Sequence, residues 1–233
     1  MNWNNLFDKI YVINLPERTD RLAQVTDEMN KYGIPFEVFP AIKHPEGELG
    51  IYLTLYALIE KCFYGEIGDV LIFEDDVKFL SDPNKYFEDE EDLESIIGAN
   101  SYSIFYLGCN THEPLEKTKR QDVCKVKNAF GCHAMAISRR GMYDLLQIFN
   151  EKVSFGLKET VWEYKLIKTI EYQNPIDYII ANEIQPLGDC YCTYPMLATQ
   201  RNSYSDILGK EVDNSYIEER FIENTKHLPN SFL

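Results

Sequence analysis

Two hydrophobic patterns alternate along this chain. Continuous apolar, β-rich runs occupy residues 9–15 (Lys-Ile-Tyr-Val-Ile-Asn-Leu) and 70–73 (Val-Leu-Ile-Phe), with weaker ones at 36–42, 103–107, 122–127, 132–138 and 187–197. Runs of this kind, bounded by turn residues, predict strands, and the least interrupted predict strands buried on both faces. Between them, apolar residues recur at helical spacing: Leu22, Val25, Met29 and Tyr32; then Tyr52, Leu55, Tyr56, Ile59 and Phe63; then Tyr143, Leu146 and Phe149. The first of these helices has Thr19 or Asp20 to cap it, and Gly33 followed by Pro35 to stop it. Gly47 and Gly50 read as a break ahead of a helix over 51–63. Strand, helix and strand within about 35 residues is the length of one parallel crossover unit.

The second half is less regular. Residues 110–121 read as a mobile surface loop. A helix is expected over 141–150, and a helical pattern over 157–184 is interrupted at Asn174-Pro175, where Pro175 can open a new helix. Beyond Lys210 the chain is charged, with a short helix at 216–224, and reads as an arm over the surface. The expected organisation is one α/β domain, residues 1–209, with a mixed, mostly parallel sheet flanked by helices, and a tail, 210–233, packed on it.

The run at 70–73 passes directly into Glu74-Asp75-Asp76. In open α/β sheets, ligands bind outside the carboxyl ends of the strands, where this acidic cluster emerges. If the extended backbone persists, Glu74 and Asp76 point to one side and Asp75 to the other. Two carboxylates on one side can grip Mg²⁺ or Mn²⁺, which such proteins hold with one or two carboxylates plus substrate phosphates. A solvated loop start is the plain alternative. A denser acidic run at 88–92 lacks a preceding strand and reads as a solvated face.

Composition narrows the partners. At 233 residues, with 45% hydrophobic and 26% charged residues, the chain is ordinary globular material, but its formal net charge of minus 15 argues against nucleic acid or an anionic membrane surface as partner. Phosphate substrates remain compatible, because a bridging cation and local arginines can hold a diphosphate. The six cysteines lack zinc spacing and read as reduced core thiols. No run approaches the ~18 apolar residues of a membrane span, and no basic segment leads an apolar one at the N-terminus, so the expected location is cytoplasmic.

Several motifs, in order, carry a resemblance. They are Tyr11-Val12-Ile13-Asn14-Leu15-x-x-Arg18-x-Asp20-Arg21, Phe73-Glu74-Asp75-Asp76, Gly131-x-His133-Ala134-x-x-Ile137-Ser138-Arg139-Arg140-Gly141, Pro175-Ile176-Asp177, and Tyr194-Pro195-x-Leu197-x-x-Gln200 with Ser205-Asp206-Ile207. Together they resemble glycosyltransferase family 25, which includes lipooligosaccharide and collagen galactosyltransferases. The resemblance implies a GT-A-type, Rossmann-like domain that takes a nucleotide-sugar donor, commonly UDP-galactose, and inverts the anomeric carbon, usually with Mn²⁺. The family's second helix commonly opens with Gly-Cys and then Ser-His. This chain has Gly50-Ile51 and Thr54-Leu55 there, so Thr54 keeps a hydroxyl and Leu55 replaces a histidine.

Under this resemblance each candidate has an expected role. Asn14 and Leu15 offer backbone groups to a base, and Arg18 and Arg21 offer guanidinium forks to phosphate or ribose oxygens. Glu74 and Asp76 grip the metal, with Glu74 and Asp75 also on the donor side. Asp177 is the candidate base that takes the acceptor hydroxyl's proton, with Glu183 as the alternative. His133 is either a satisfied core histidine or a donor-side or metal-side group. Gln200 can hydrogen-bond the sugar or acceptor. The expected reaction moves a hexose, galactose or glucose, from a UDP-sugar to a glycan or hydroxylated side chain. A catalytically degenerate nucleotide-sugar or glycan binder is the alternative, and a metal-dependent phosphohydrolase using the same carboxylates is a third reading.

Overall fold

A computed structural model describes residues 3–88, 102–160 and 175–228, together with Ser95 and Ile97; for 151–160 it describes the backbone alone. The elements run α1 (Trp3–Leu6), β1 (Lys9–Asn14), α2 (Thr19–Tyr32), β2 (Glu37–Pro40), α3 (Gly47–Tyr64), β3 (Val70–Glu74), β4 (Val77–Phe79) and α4 (Pro83–Tyr86). Then come β5 (Ile104–Thr111), β6 (Glu116–Lys117), β7 (Val123–Lys125), β8 (Ala129–Ile137), α5 (Arg139–Thr160) and α6 (Ile176–Ile179). A π-helical turn (Ile180–Ile184) and a 3-10 turn (Gln185–Leu187) lead to β9 (Cys190–Thr193), β10 (Ala198–Gln200), β11 (Ser203–Ser205), β12 (Lys210–Val212) and α7 (Ser215–Thr225).

Eight strands form one sheet in the order β2-β1-β3-β8-β5-β9-β7-β6. It is mixed, as expected, but its parallel share is smaller than expected: β1 pairs in parallel with β2 and β3, and β5 with β9, while the other four neighbouring pairs are antiparallel. The crossover reading holds for the first half, where β1-α2-β2-α3-β3 builds the parallel edge. β3 is buried on both faces because its side chains alternate between two clusters. Val70 and Ile72 join Leu55, Leu58, Leu145 and Phe149 on one side, and Leu71 and Phe73 join Val25, Met29, Trp3 and Phe7 on the other. Helices therefore cover both faces, which a near-continuous apolar strand requires.

α2 ends where the sequence suggests. Gly33 adopts φ 63°, and the N–H groups of Gly33 and Ile34 close onto the carbonyls of Asn30 and Met29. Its start differs, with Arg18 in the cap position and no side-chain cap bond. α3 begins four residues before the expected 51, at Gly47. Gly47 and Gly50 do not break it; they are sites of close approach, where a Cβ would lie 2.8 Å from the Ile207 Cα and 2.7 Å from the Ile42 carbonyl oxygen.

Other boundaries also shift. The expected loop at 110–121 contains the end of β5, the buried Leu115, and β6 paired with β7. Thr111 and Leu115 are held because α7 crosses them: the Asn224 side chain donates to the Thr111 carbonyl, and the Leu115 N–H donates to the Asn224 carbonyl. α7 itself buries Ile217 and Phe221 in the core, so it is an integral element of the fold and not an arm. The span expected as one strand at 187–197 is β9, a cis Tyr194–Pro195 peptide and the approach to β10. Pro175 precedes α6, so Asp177 is that helix's second residue. Residues 161–174 and 89–92, on which expected elements fell, lie outside the described residues. All six cysteines are buried and reduced. Among the described residues no helix is long and apolar enough to cross a membrane.

Candidate active site

β1 lies between β2 and β3, so the chain leaves β1 toward one neighbour and returns past it to the other. The crevice at the carboxyl ends of β1 and β3 is the switch point of the sheet. A cleft of about 290 Å³ opens there, at the lower end of the size range for small-molecule sites. Its walls come from the ends of β1 (Ile13, Leu15), the loop after β2 (Ala41 to His44) and the start of α3 (Gly50, Ile51, Thr54). Glu74, Asp75, Asp76 and Gln200 form its acidic end, and Ser205 to Ile207 close it from the β11–β12 hairpin.

The extended backbone of β3 ends at Glu74, and Asp75-Asp76 turn into β4. The period-of-two premise therefore fails at this point, yet its outcome holds. Gln200 Nε2 donates to Glu74 Oε2 at 3.0 Å and to Asp76 Oδ1 at 3.4 Å, while Asp75 Oδ1 turns to Arg21 at 2.7 Å. Gln200 reaches the pair because β10 lies antiparallel to β4, with Gln200 opposite Val77. Arg201 then locks the junction: its N–H donates to the Asp76 carbonyl at 2.8 Å and its guanidinium pairs with Glu28 at 2.6 Å. The other Glu28 carboxylate oxygen accepts from the Phe79 N–H at 2.8 Å. Neither Glu28 nor Arg201 stands out in the sequence, because a lone charge on a helix and another after a strand carry no local signal of pairing.

Arg18 and Arg21 do share a face, but their donors are directed to protein groups and not outward as free forks. Arg21 bonds Asp75, Ser203 Oγ at 2.8 Å and the Tyr204 carbonyl at 2.7 Å, and lies 3.6 Å from Asp76. Arg18 pairs with Asp20 at 2.9 Å and with Asp206. Together they fasten the hairpin to α2 and β3. Glu17 and Lys43 pair across the cleft mouth. Leu15 lines the cleft, but its carbonyl already accepts from the Asn14 side chain at 2.7 Å and the Arg18 N–H at 2.8 Å, so it is not an open acceptor for a base. Asn14 is buried, with its Oδ1 unpartnered.

Thr54 receives the Ile42 N–H at 2.8 Å and donates to the Gly50 carbonyl at 2.7 Å, holding the β2–α3 loop against α3. Leu55 is fully buried in the core and does not line the cleft. His133 is also fully buried. Burial lowers its pKa to about 4, opposed by the Ala198 carbonyl, and no carboxylate of the site contributes. It thus sits in the packed layer beneath β10, apart from the acidic pair. Asp177 lies outside the cleft lining, with Oδ1 accepting from the Tyr178 N–H at 2.9 Å and Oδ2 from the Gly131 N–H at 3.4 Å. Its charge still reaches Glu74 and the Cys132 thiol. Glu183 is exposed and away from the cleft.

Burial pushes the Glu74 pKa well above the usual carboxylate range, and repulsion from Asp76, Asp75 and Asp177 adds to it, against Arg21. Burial also raises Asp75 to about 6 and raises Asp76, opposed in both by Arg21. Among the described residues no three His, Cys, Asp or Glu side chains converge as a preformed metal cage. A carboxylate pair with an excess of buried negative charge does fit a hard divalent cation that takes its remaining ligands from a substrate. Glu74 and Asp76 would hold it.

A pH dependence follows. These carboxylates have folded pKa values above their unfolded ones, so the folded state binds more protons and the stability they contribute falls as pH rises; for Asp75 the fall runs from the ordinary 3.8 through about 6, and Glu74 and Asp76 act in the same direction. A cation that replaces the protons should reverse the loss. The expected result is a rise in melting temperature on adding Mn²⁺ that is larger at about pH 7.5 than at about pH 5; an equal rise at both would count against Glu74 and Asp76 as the binding pair.

The fold and cleft define an α/β protein with an acidic cleft at a sheet switch point. No protein-family model matches the chain. A 104-residue stretch is 30% identical to the lipooligosaccharide biosynthesis protein lic2B of Haemophilus influenzae, covering 36% of this chain and 39% of that protein, so the match spans well under half of that relative's length. Similar solved structures include the mannose-1-phosphate geranyltransferase of Thermus thermophilus (TM-score 0.43, 10% identity, 78% of this chain and 58% of that one). Others are A197 of STIV (0.45, 11%, 89% and 94%) and a glycosyltransferase involved in glycosylation of the major capsid of PBCV-1 (0.38, 11%, 92% and 98%). At TM-scores below 0.5, these likenesses carry no weight for function.

Proposed function

We propose that this chain is a GT-A-type glycosyltransferase of the family 25 kind, moving a hexose, galactose or glucose, from a UDP-sugar to a glycan or hydroxylated side chain with inversion. The observation that carries the reading is the Glu74–Asp76 pair, bridged by Gln200 in a cleft that is also lined by apolar side chains. Ile13, Leu15, Ala41, Ile42 and Ile51 suit the faces of a base, and the carboxylates suit the diphosphate end through a cation. The partial match to a lipooligosaccharide biosynthesis protein agrees with a sugar-transferring role. Bound Mn²⁺ or Mg²⁺ would neutralise the departing diphosphate. Gln200 fixes the orientation of both carboxylates, and Arg21, neutralised by Asp75, keeps the hairpin closed over the donor.

Asp177 is the proposed base. The Gly131 and Tyr178 N–H groups hold its carboxylate in one orientation beside the acidic end, the condition for taking a proton from an incoming hydroxyl. Asp177→Asn should leave UDP-sugar affinity within about twofold and lower transfer by about 10² to 10⁴-fold. Equal losses of binding and transfer would remove Asp177 from that role.

The direct test is a panel of UDP-sugars with Mn²⁺, read by melting temperature and by UDP release. Sugar-selective release supports transfer, tight binding without release supports a degenerate binder, and release of inorganic phosphate supports a phosphohydrolase. Absence of any thermal shift would end the donor-binding readings together.

A further inference from the structure

Next to Asp177 and outside the cleft lining, a second group of side chains meets at the surface. Its members come from four elements that are distant in sequence: Asn110 and His112 at and after the end of β5, Phe130 in β8, Tyr178 in α6, and Tyr216 with Arg220 in α7. The His112 and Phe130 rings meet edge to face at 4.6 Å, and the Phe130 and Tyr178 rings follow at 6.2 Å. Arg220 Nη1 lies 3.0 Å from Asn110 Oδ1 and 2.8 Å from His112 Nε2, and its guanidinium stands over the Tyr216 ring at 5.4 Å. The result is a stripe of rings that begins beside the proposed base and ends on a cation.

Two features make the stripe unlike ordinary surface. Tyr178 and Tyr216 keep 43% and 40% of their area exposed, although neighbouring rings are available to cover them. Arg220 is held only by neutral groups, and among the described residues no carboxylate pairs with it, in a chain with 38 acidic residues. Arg18, Arg21, Arg120, Arg140 and Arg201 each take a carboxylate partner, and Arg139, which among the described residues does not, donates to the Phe63 and Ile67 carbonyls. His112 supports the arrangement as a neutral ring: burial and the Arg220 charge lower its pKa, against Asp177, so Nε2 accepts from the guanidinium. A half-buried guanidinium fixed by neutral partners has unused donors that match a carboxylate or phosphate. Exposed ring faces match the apolar faces of a sugar.

Taking the transferase reading as given, we infer that this stripe is the acceptor subsite and that it takes a saccharide bearing an anionic group, with the sugar ring on Phe130 and Tyr178 and the carboxylate or phosphate on Arg220. Asp177 then lies within electrostatic reach of both sides, of Glu74 and of His112. A purely structural role for Arg220, pinning α7 to β5, would give no preference between charged and neutral sugars.

The experiment is a ligand-observed NMR titration of the full chain with mannose, mannose 6-phosphate, glucuronic acid and inorganic phosphate. One or both charged sugars should bind at least about tenfold more tightly than mannose and than phosphate alone. Which charged sugar binds tells phosphate from carboxylate. Arg220→Met should abolish the preference, and Tyr178→Ala should weaken the charged sugars. Equal affinity for charged and neutral sugars, or a preference that survives in folded Arg220→Met, overturns the assignment. Should Arg220→Met fail to fold, unchanged affinity in Tyr178→Ala and Phe130→Ala overturns it instead. The UDP-sugar thermal shift on the same samples reports the donor site alone and should persist in Arg220→Met, so either proposal can fail in view of the other.

Discussion

Asp76→Ala is expected to abolish the Mn²⁺-dependent stabilisation by UDP-sugars and to lower transfer by about 10³-fold or more, the scale of removing a principal electrostatic group at a reacting centre. Asp76 is 9% exposed and shares the Gln200 amide with Glu74. Removing it leaves Glu74 as the one carboxylate of the pair, with half of the negative charge that would hold the cation. The backbone at this position should survive, because the Asp76 carbonyl still receives the Arg201 N–H and β4 still pairs with β10. The loss should thus appear in metal response and turnover, with circular dichroism unchanged. A folded variant that keeps its Mn²⁺ response would show that the cation, if any, binds elsewhere.

The second large effect is on stability. Gly108→Ala is expected to cost about 3 kcal/mol or more and to lower the melting temperature by roughly 10 °C. The φ of Gly108 is not in the left-handed region, so backbone freedom is not the reason. A Cβ there would sit 1.8 Å from the Ala198 carbonyl oxygen and 2.8 Å from His133 Nε2, both in the packed interior. β5 and β8 shift register around Gly108, which brings this residue under β10. Moving β10 also moves Gln200, so turnover should fall in the fraction that folds. A drop of under about 2 °C would mean that β10 yields easily and that Gly108 is not a constraint. This residue also explains His133, whose buried ring fills the space beside the missing side chain and has no hydrogen bond of good geometry on either nitrogen.

The first half of the molecule was readable because its signals are local. An apolar run with turn residues before it and carboxylates after it locates β3 and the carboxylates that line the cleft. Gly33 with the apolar spacing of α2 locates that helix and its end. The switch point follows from two crossovers in sequence. What the sequence hid depends on partners far along the chain. Gly47 and Gly50 look like helix breakers until Ile207 and Ile42 are seen packed on them. Arg18 and Arg21 look like free phosphate ligands until Asp206, Ser203 and Tyr204 arrive to take their donors. Leu55 looks like a lost site residue, but its place is in the core. The Arg220 stripe draws on four elements with no shared period, so only the folded chain brings it together.

The hairpin held by Arg18 and Arg21 bears on the order in which the protein comes into being. Its partners are separated by 188, 182 and 183 residues along the chain, and Gln200, which bridges the acidic pair, is also made late. During synthesis, β1, α2, β2, α3 and β3 leave the ribosome first and can form the parallel edge, but the cleft lacks both its bridging amide and its cover until β10, β11 and β12 have followed. A nascent or prematurely ended chain thus has Arg21 beside Asp75 but carries Glu74 and Asp76 without the amide that bridges them, and the cleft is complete only when those late strands arrive.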